Sequence, residues 1–207
     1  MSCELMRLLM RVLGAALLLL SSAPALAALT YHLTLDSSAL AGQQGFLDIQ
    51  FIPGQSPGAP SATATLSDFT ISGGALGAPV SIDGDVTGNL PGEVTLGNST
   101  AFNAILQPLS LVGNSIALQV SFGGDFLTTP SSVGTSFSLA LLDTQLNPLL
   151  SGDANGRLVV FDLANGAAPY NDFSERLEGA AVPEAEAWVV LLVGLCAVGA
   201  VARRRLY

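Results

Sequence analysis

Leu29-Thr30-Tyr31-His32-Leu33-Thr34-Leu35-Asp36 alternates strictly, with Leu29, Tyr31, Leu33 and Leu35 on one side and Thr30, His32, Thr34 and Asp36 on the other. Side chains in an extended chain point to opposite faces in turn, so period-two alternation reads as a strand with one face buried and one wet. The same period recurs in Leu47-Asp48-Ile49-Gln50-Phe51, in Ile116, Leu118, Val120 and Phe122, and in Phe137, Leu139 and Leu141. Arg157-Leu158-Val159-Val160-Phe161 opens a further β-rich run over 157–163, and weaker strands are expected at 62–72, 93–97 and 99–106. Between these lie turn pairs: Pro53-Gly54, Ser72-Gly73-Gly74, Asp83-Gly84, Pro91-Gly92, Gly123-Gly124, Asn147-Pro148 and Asn155-Gly156. No amphipathic helix interrupts them. Roughly eight strands with short, turn-rich connections predict an all-β domain over 28–163, an antiparallel β-sandwich of jelly-roll-like type.

Outward from this body the composition changes. The stretch 164–181 mixes Gly, Pro and charge and reads as a flexible linker. The hydrophobic fraction is 50%, but long apolar runs occur only in 12–20 and 188–202, and the middle of the chain reads as soluble. The start places Arg7 and Arg11 before the run Val12 to Leu20, then small residues ending Ala25-Leu26-Ala27. This is the three-part pattern of a signal peptide, 1–27, with cleavage after Ala27; an uncleaved helix is the alternative. No cysteine follows the cut, which argues against a lipoprotein.

At the other end, 182–207, Val182-Pro183-Glu184 precedes Trp188, an apolar run to Ala202, and Arg203, Arg204 and Arg205. A basic cluster after an apolar segment holds that end in the cytoplasm, and an indole at the opposite boundary favours the interface. The span 188–202 would be only ~23 Å long as a helix, against a hydrocarbon core of ~30 Å, so snorkelling arginines would have to cover the difference.

Charge excludes one class of partner. Residues 28–180 carry thirteen carboxylates against Arg157 and Arg176, and lysine is absent throughout. Such a surface repels nucleic acid and anionic lipid. The two cysteines, Cys3 and Cys196, lie in the terminal segments, so the body has no internal disulfide. Hydrolytic chemistry finds little support: His32 is the only histidine and reads as a lone surface residue, no G-x-S-x-G elbow or lysine-bearing phosphate loop is present, and zinc lacks ligands. Paired acids of a glycosidase could be drawn from Asp48, Asp68, Asp83, Asp85 and Asp125, but any acidic protein offers as much. The chain is therefore expected not to be an enzyme. Calcium is the cofactor that the residues could take, through Asp83 and Asp85 or through Asp153 and Asn155. The same residues are the ordinary currency of tight turns, and the expected cofactor count is none.

Pro-Glu, a short apolar segment and a terminal basic cluster, behind a signal peptide, resemble the PEP-CTERM sorting signal acted on by exosortases. Here Ala185 stands where a second proline usually follows Glu184. The body resembles a small uncharacterised PEP-CTERM protein family through Tyr31 to Asp36, Gly45 to Phe51, and Gly84-Asp85-Val86-Thr87-Gly88 with Leu90-Pro91-Gly92. The resemblance implies a Gram-negative exported protein, processed by signal peptidase and exosortase. It would be tethered transiently to the inner membrane, then displayed or released at the cell surface among exopolysaccharide or biofilm. A plain tail anchor that is never cut fits the helix physics equally well. A carbohydrate-binding module on the same scaffold is the alternative function; it would need exposed aromatics, for which Phe46, Phe69, Phe126 and Tyr170 are the candidates.

Overall fold

The computed structural model describes residues 28–54, 58–78 and 80–182. The signal-peptide residues Ala25 and Ala27, and the sorting residues Pro183, Glu184, Arg203, Arg204 and Arg205, lie outside them. Fourteen strands and two 3-10 turns make up the described chain. No helix among the described residues is long and apolar enough to cross a membrane.

The strands form two antiparallel sheets. The first has β14 (Leu177–Ala181), β1 (Leu29–Asp36), β9 (Ser115–Gly123), β3 (Thr63–Ser72), β7 (Val94–Gly97) and β6 (Val86–Gly88), in that spatial order. The second runs β13 (Tyr170–Asp172), β12 (Val159–Leu163), β10 (Thr135–Leu142), β2 (Gly45–Pro53), β8 (Ala104–Leu111) and β4 (Ala75–Leu76). Two short strands attach to it, β5 (Ser81–Asp83) on β8 and β11 (Pro148–Leu149) on β10. The chain changes sheet repeatedly, so most pairings join residues far apart in sequence, and cohesion rests on the core between the sheets rather than on local hairpins.

That core is where alternation is converted into stability. Leu33, Leu35, Leu66, Leu118, Val120 and Phe122 of the first sheet, and Leu47, Ile49, Phe51, Phe137, Leu139 and Phe161 of the second, belong to one buried cluster. Aromatic rings join the two sheets: Phe122 lies 5.6 Å from Phe137 and 5.1 Å from Phe161, and Tyr31 lies 4.7 Å from Phe161, centroid to centroid. Burying each such side chain contributes about 1.5–3 kcal/mol, which supplies what a body without disulfides lacks.

Two expectations are corrected. The strand expected over 99–106 is Ala104–Leu111. Asn103 turns inward and is fully buried, donating from Nδ2 to the Phe51 carbonyl at 2.9 Å and accepting the Asp85 N–H at 2.7 Å, which fixes 98–103 as a loop. Pro108 lies within this strand, opposite Phe46. The strand over Thr63–Ser72 reads weakly because its alternation slips by one: Ala64 and Leu66 point inward, then Phe69. The slip is a β-bulge at Asp68, whose φ is 52°, a left-handed angle that Asp tolerates better than most residues.

The largest correction concerns 164–181. It is not a linker. Tyr170–Asp172 extends the second sheet and Leu177–Ala181 completes the edge of the first. Ala168, Ser174 and Leu177 are buried, Tyr31 Oη donates to the Ala168 carbonyl at 2.8 Å, and Tyr170 Oη donates to the Gly179 carbonyl at 3.1 Å. The folded body therefore extends to Val182, whose N–H donates to the Thr30 carbonyl at 2.8 Å.

Candidate functional site

The outward faces of the two sheets differ. On the first sheet the register aligns Thr87, Thr95, Thr65, Ser121 and Thr30 across five strands, with Oγ atoms of Thr30 and Ser121 at 2.9 Å and of Thr65 and Thr95 at 3.4 Å. These hydroxyls partly satisfy one another, and His32 projects from the same face, exposed.

The outer face of the second sheet is indented. Asp48, Gln50 and Ile52 of β2 stand beside Ser136, Ser138, Ala140 and Leu142 of β10, with Gln50 opposite Ser138 and Asp48 opposite Ala140. The loop before β12 brings Asn155 and Arg157 to the same depression, which has a volume of about 340 Å³. Period-two alternation places every one of the strand residues outward: in Asp48-Ile49-Gln50 and Ser136-Phe137-Ser138 the apolar residue goes to the core. Gln50 Nε2 donates to Asp48 Oδ2 at 2.7 Å. Burial pushes the Asp48 carboxyl above its ordinary value, and the Gln50 hydrogen bond offsets that only in part. Arg157 is oriented by Asp153, Nε to Oδ2 at 2.7 Å, and its guanidinium carbon lies 5.6 Å from the centre of the Phe173 ring. The depression thus presents a half-buried carboxyl, a carboxamide, two hydroxyls and a fixed guanidinium around small apolar surfaces, a donor and acceptor set suited to a polyhydroxylated ligand.

The four candidate calcium residues fall into two separate places. Asp83 and Asp85 flank Gly84, whose φ is 76°; the Asp85 carboxylate accepts Ser99 Oγ at 2.6 Å while its backbone N–H is held by Asn103. Asp153 is engaged by Arg157, and that hydrogen bond first of all holds its carboxyl below the ordinary range. Asn155 is exposed in the same loop. Among the described residues no three His, Cys, Asp or Glu side chains cluster as a metal site would need. The five carboxylates considered for acid catalysis are dispersed: Asp48 on β2, Asp68 at the bulge of β3, Asp83 and Asp85 around Gly84, and Asp125 in a 3-10 turn, where it accepts Ser61 Oγ at 2.8 Å.

Two of the four aromatic candidates are spent on packing. Phe69 and Phe126 are core residues, 7% and 1% exposed, whereas Tyr170 is 39% exposed although its ring lies 5.5 Å from that of Phe161. Phe46 is half-buried. The aromatic that sequence reading missed is Phe102, 46% exposed in the 98–103 loop; nothing in its local pattern separates it from a strand residue. Gln50, Ser136, Ser138 and Arg157 were also missed, although alternation alone marks the first three as outward polar positions. The chain matches no family model, no curated protein and no solved structure.

Proposed function

We propose that the chain is an exported, non-catalytic surface or matrix protein of a Gram-negative cell. Signal peptidase cuts it after Ala27, and an exosortase acts near Pro183-Glu184, leaving the acidic domain at the cell surface or outside, among exopolysaccharide or biofilm. We read the repeated change of sheet as a jelly-roll-like sandwich. The observation that carries the sorting reading is the order of Val182-Pro183-Glu184, the apolar run 188–202 and Arg203 to Arg205, beginning directly after strand β14. The test is the intact mass of the protein from cells with and without the exosortase. The expected result is loss of 1–27 in both strains and a C-terminus near Pro183 only where the enzyme is present. An unshortened C-terminus in both would leave a plain membrane tether.

A second reading is favoured by the depression between β2, β10 and the loop before β12: a carbohydrate-binding module. Its donors and acceptors suit a neutral saccharide, and calcium is not required by their arrangement. Isothermal titration of the purified body with the cell's own exopolysaccharide, with and without calcium, tests it. Binding abolished by Gln50→Ala and Ser138→Ala would support the reading; binding indifferent to both would place any saccharide elsewhere.

A further inference from the structure

The absence of a linker before the sorting motif has a mechanical consequence. Among the described residues strand β14 pairs on one side only, with β1, in the register Leu35–Leu177, Thr34–Glu178, Leu33–Gly179, His32–Ala180 and Tyr31–Ala181. Leu177 is 4% exposed, but Glu178, Ala180, Ala181 and Val182 are exposed and Gly179 has no side chain to bury. Beyond Leu177 the strand is held by backbone hydrogen bonds to β1 and by the Tyr170 hydroxyl on the Gly179 carbonyl. A segment with so little buried apolar surface belongs to the low end of local stability.

Pro183 follows Val182 directly, and Trp188, where the apolar run begins, is six residues beyond Val182, at most ~20 Å of fully extended chain. An enzyme working at the membrane face would therefore meet the folded body as soon as it reached the motif. Proteases hold their substrates as extended strands, and in the residues just before Pro183 the backbone groups of alternate residues, the Val182 N–H among them, are already given to β1, so that the sheet covers one edge of the segment. Resting on the sorting reading above, we propose that Glu178–Val182 serves two incompatible roles. It is the edge strand of the first sheet and the segment the sorting enzyme must grip, so that peeling of β14 from β1 up to its Leu177 anchor gates C-terminal processing.

The rate of cutting should then follow the population of the peeled state, as it does for proteolysis through rapid local opening. The sequence offers a reversible clamp. His32, the only histidine, is exposed and directly opposite the exposed Ala180, so Ala180→His places two imidazoles side by side across the strands. A metal bound by both stabilises the paired state, and at ten times its dissociation constant it lowers the peeled population about tenfold. Full-length protein and exosortase would be combined in detergent, nickel added, and shortening followed by mass. Nickel binding by the variant is verified by a rise in its melting temperature. Shortening of Ala180→His should slow about tenfold in nickel and recover with chelator, while wild type changes little. Inserting eight Gly/Ser residues between Val182 and Pro183 should abolish the nickel effect, because the enzyme can then grip chain outside the sheet. Equal rates with and without bound nickel in Ala180→His would overturn the gate while leaving the sorting reading intact. A wild-type chain that the enzyme never shortens would instead remove the sorting reading, and the gate with it.

Discussion

Strands β2 and β14 stand at opposite extremes of the same fold. β2 lies between β8 and β10, and Leu47, Ile49 and Phe51 are fully buried in the shared core. Among the described residues β14 has one neighbour, and it has one buried side chain, Leu177. One strand is made by side-chain burial; the other is made by the availability of an unpaired edge on β1. Burial is written in a segment's own alternation, whereas pairing is a property of the partner. That is why Gly45 to Phe51 is readable from the chain and Leu177-Glu178-Gly179-Ala180-Ala181 is not.

This contrast can be broken or sharpened by measurement. The largest effect should come from Phe161→Ala, which removes a ring touching Tyr31, Phe122, Phe137 and Tyr170 and so uncouples the sheets. We expect a loss of about 3–5 kcal/mol in denaturant unfolding. A loss under ~1 kcal/mol would mean that the two sheets do not share a single core. Leu177→Ala comes next, at about 2 kcal/mol, with hydrogen exchange of β14 rising towards that of free chain while β2 stays protected. Were β14 as protected as before, its attachment would lie in the backbone pairing and the contrast would weaken.

Asn103→Ala should cost ~1–3 kcal/mol, because it strands the buried Phe51 carbonyl and the Asp85 N–H without partners. The expected signature is local loosening of 83–103 alongside lower thermal stability.

The smallest effects are electrostatic and opposite in sign. Asp48 has its carboxyl raised by burial, so its ionised form opposes folding: stability is fullest below the ordinary carboxylate range and declines as pH rises through the raised value. Asp48→Asn, which keeps an acceptor for Gln50, should melt slightly higher than wild type at neutral pH and equal to it in acid. Asp153, lowered by the Arg157 hydrogen bond, contributes stability above the ordinary range that is lost as pH falls through its lowered value. Asp153→Asn should therefore melt lower at neutral pH and converge with wild type in acid. Matching melting curves across pH for either variant would show that its carboxyl is not perturbed as described.

Much of the fold was legible for the reason that separates β2 from β14. Wherever a strand is central, its inward residues must be apolar, and period two appears without any knowledge of its neighbours. The strand Thr63–Ser72 was dimmed by one bulge residue, Asp68, and β8 starts later than its pattern suggests because Asn103 turns inward. The candidate site was legible only in part. Alternation points Asp48, Gln50, Ser136 and Ser138 outward, but that they stand together depends on β2 and β10 being neighbours in the observed register, although Pro53 and Thr135, opposite each other, lie some eighty residues apart in sequence. Asp153 and Arg157 are four residues apart and could have been paired by inspection; the arrival of Arg157 at Asp48's face could not.

By itself, the sequence determined the all-β character, the burial pattern of the central strands, the strongly acidic and lysine-free body and the composition of both terminal segments, because each depends on residue type and local spacing. The tertiary structure alone decided which strands are neighbours, that 164–181 is built into both sheets, and that the folded body reaches Val182. Those outcomes depend on unpaired edges and cavities supplied by distant parts of the chain, and a weakly patterned segment adopts whatever partner those parts leave open.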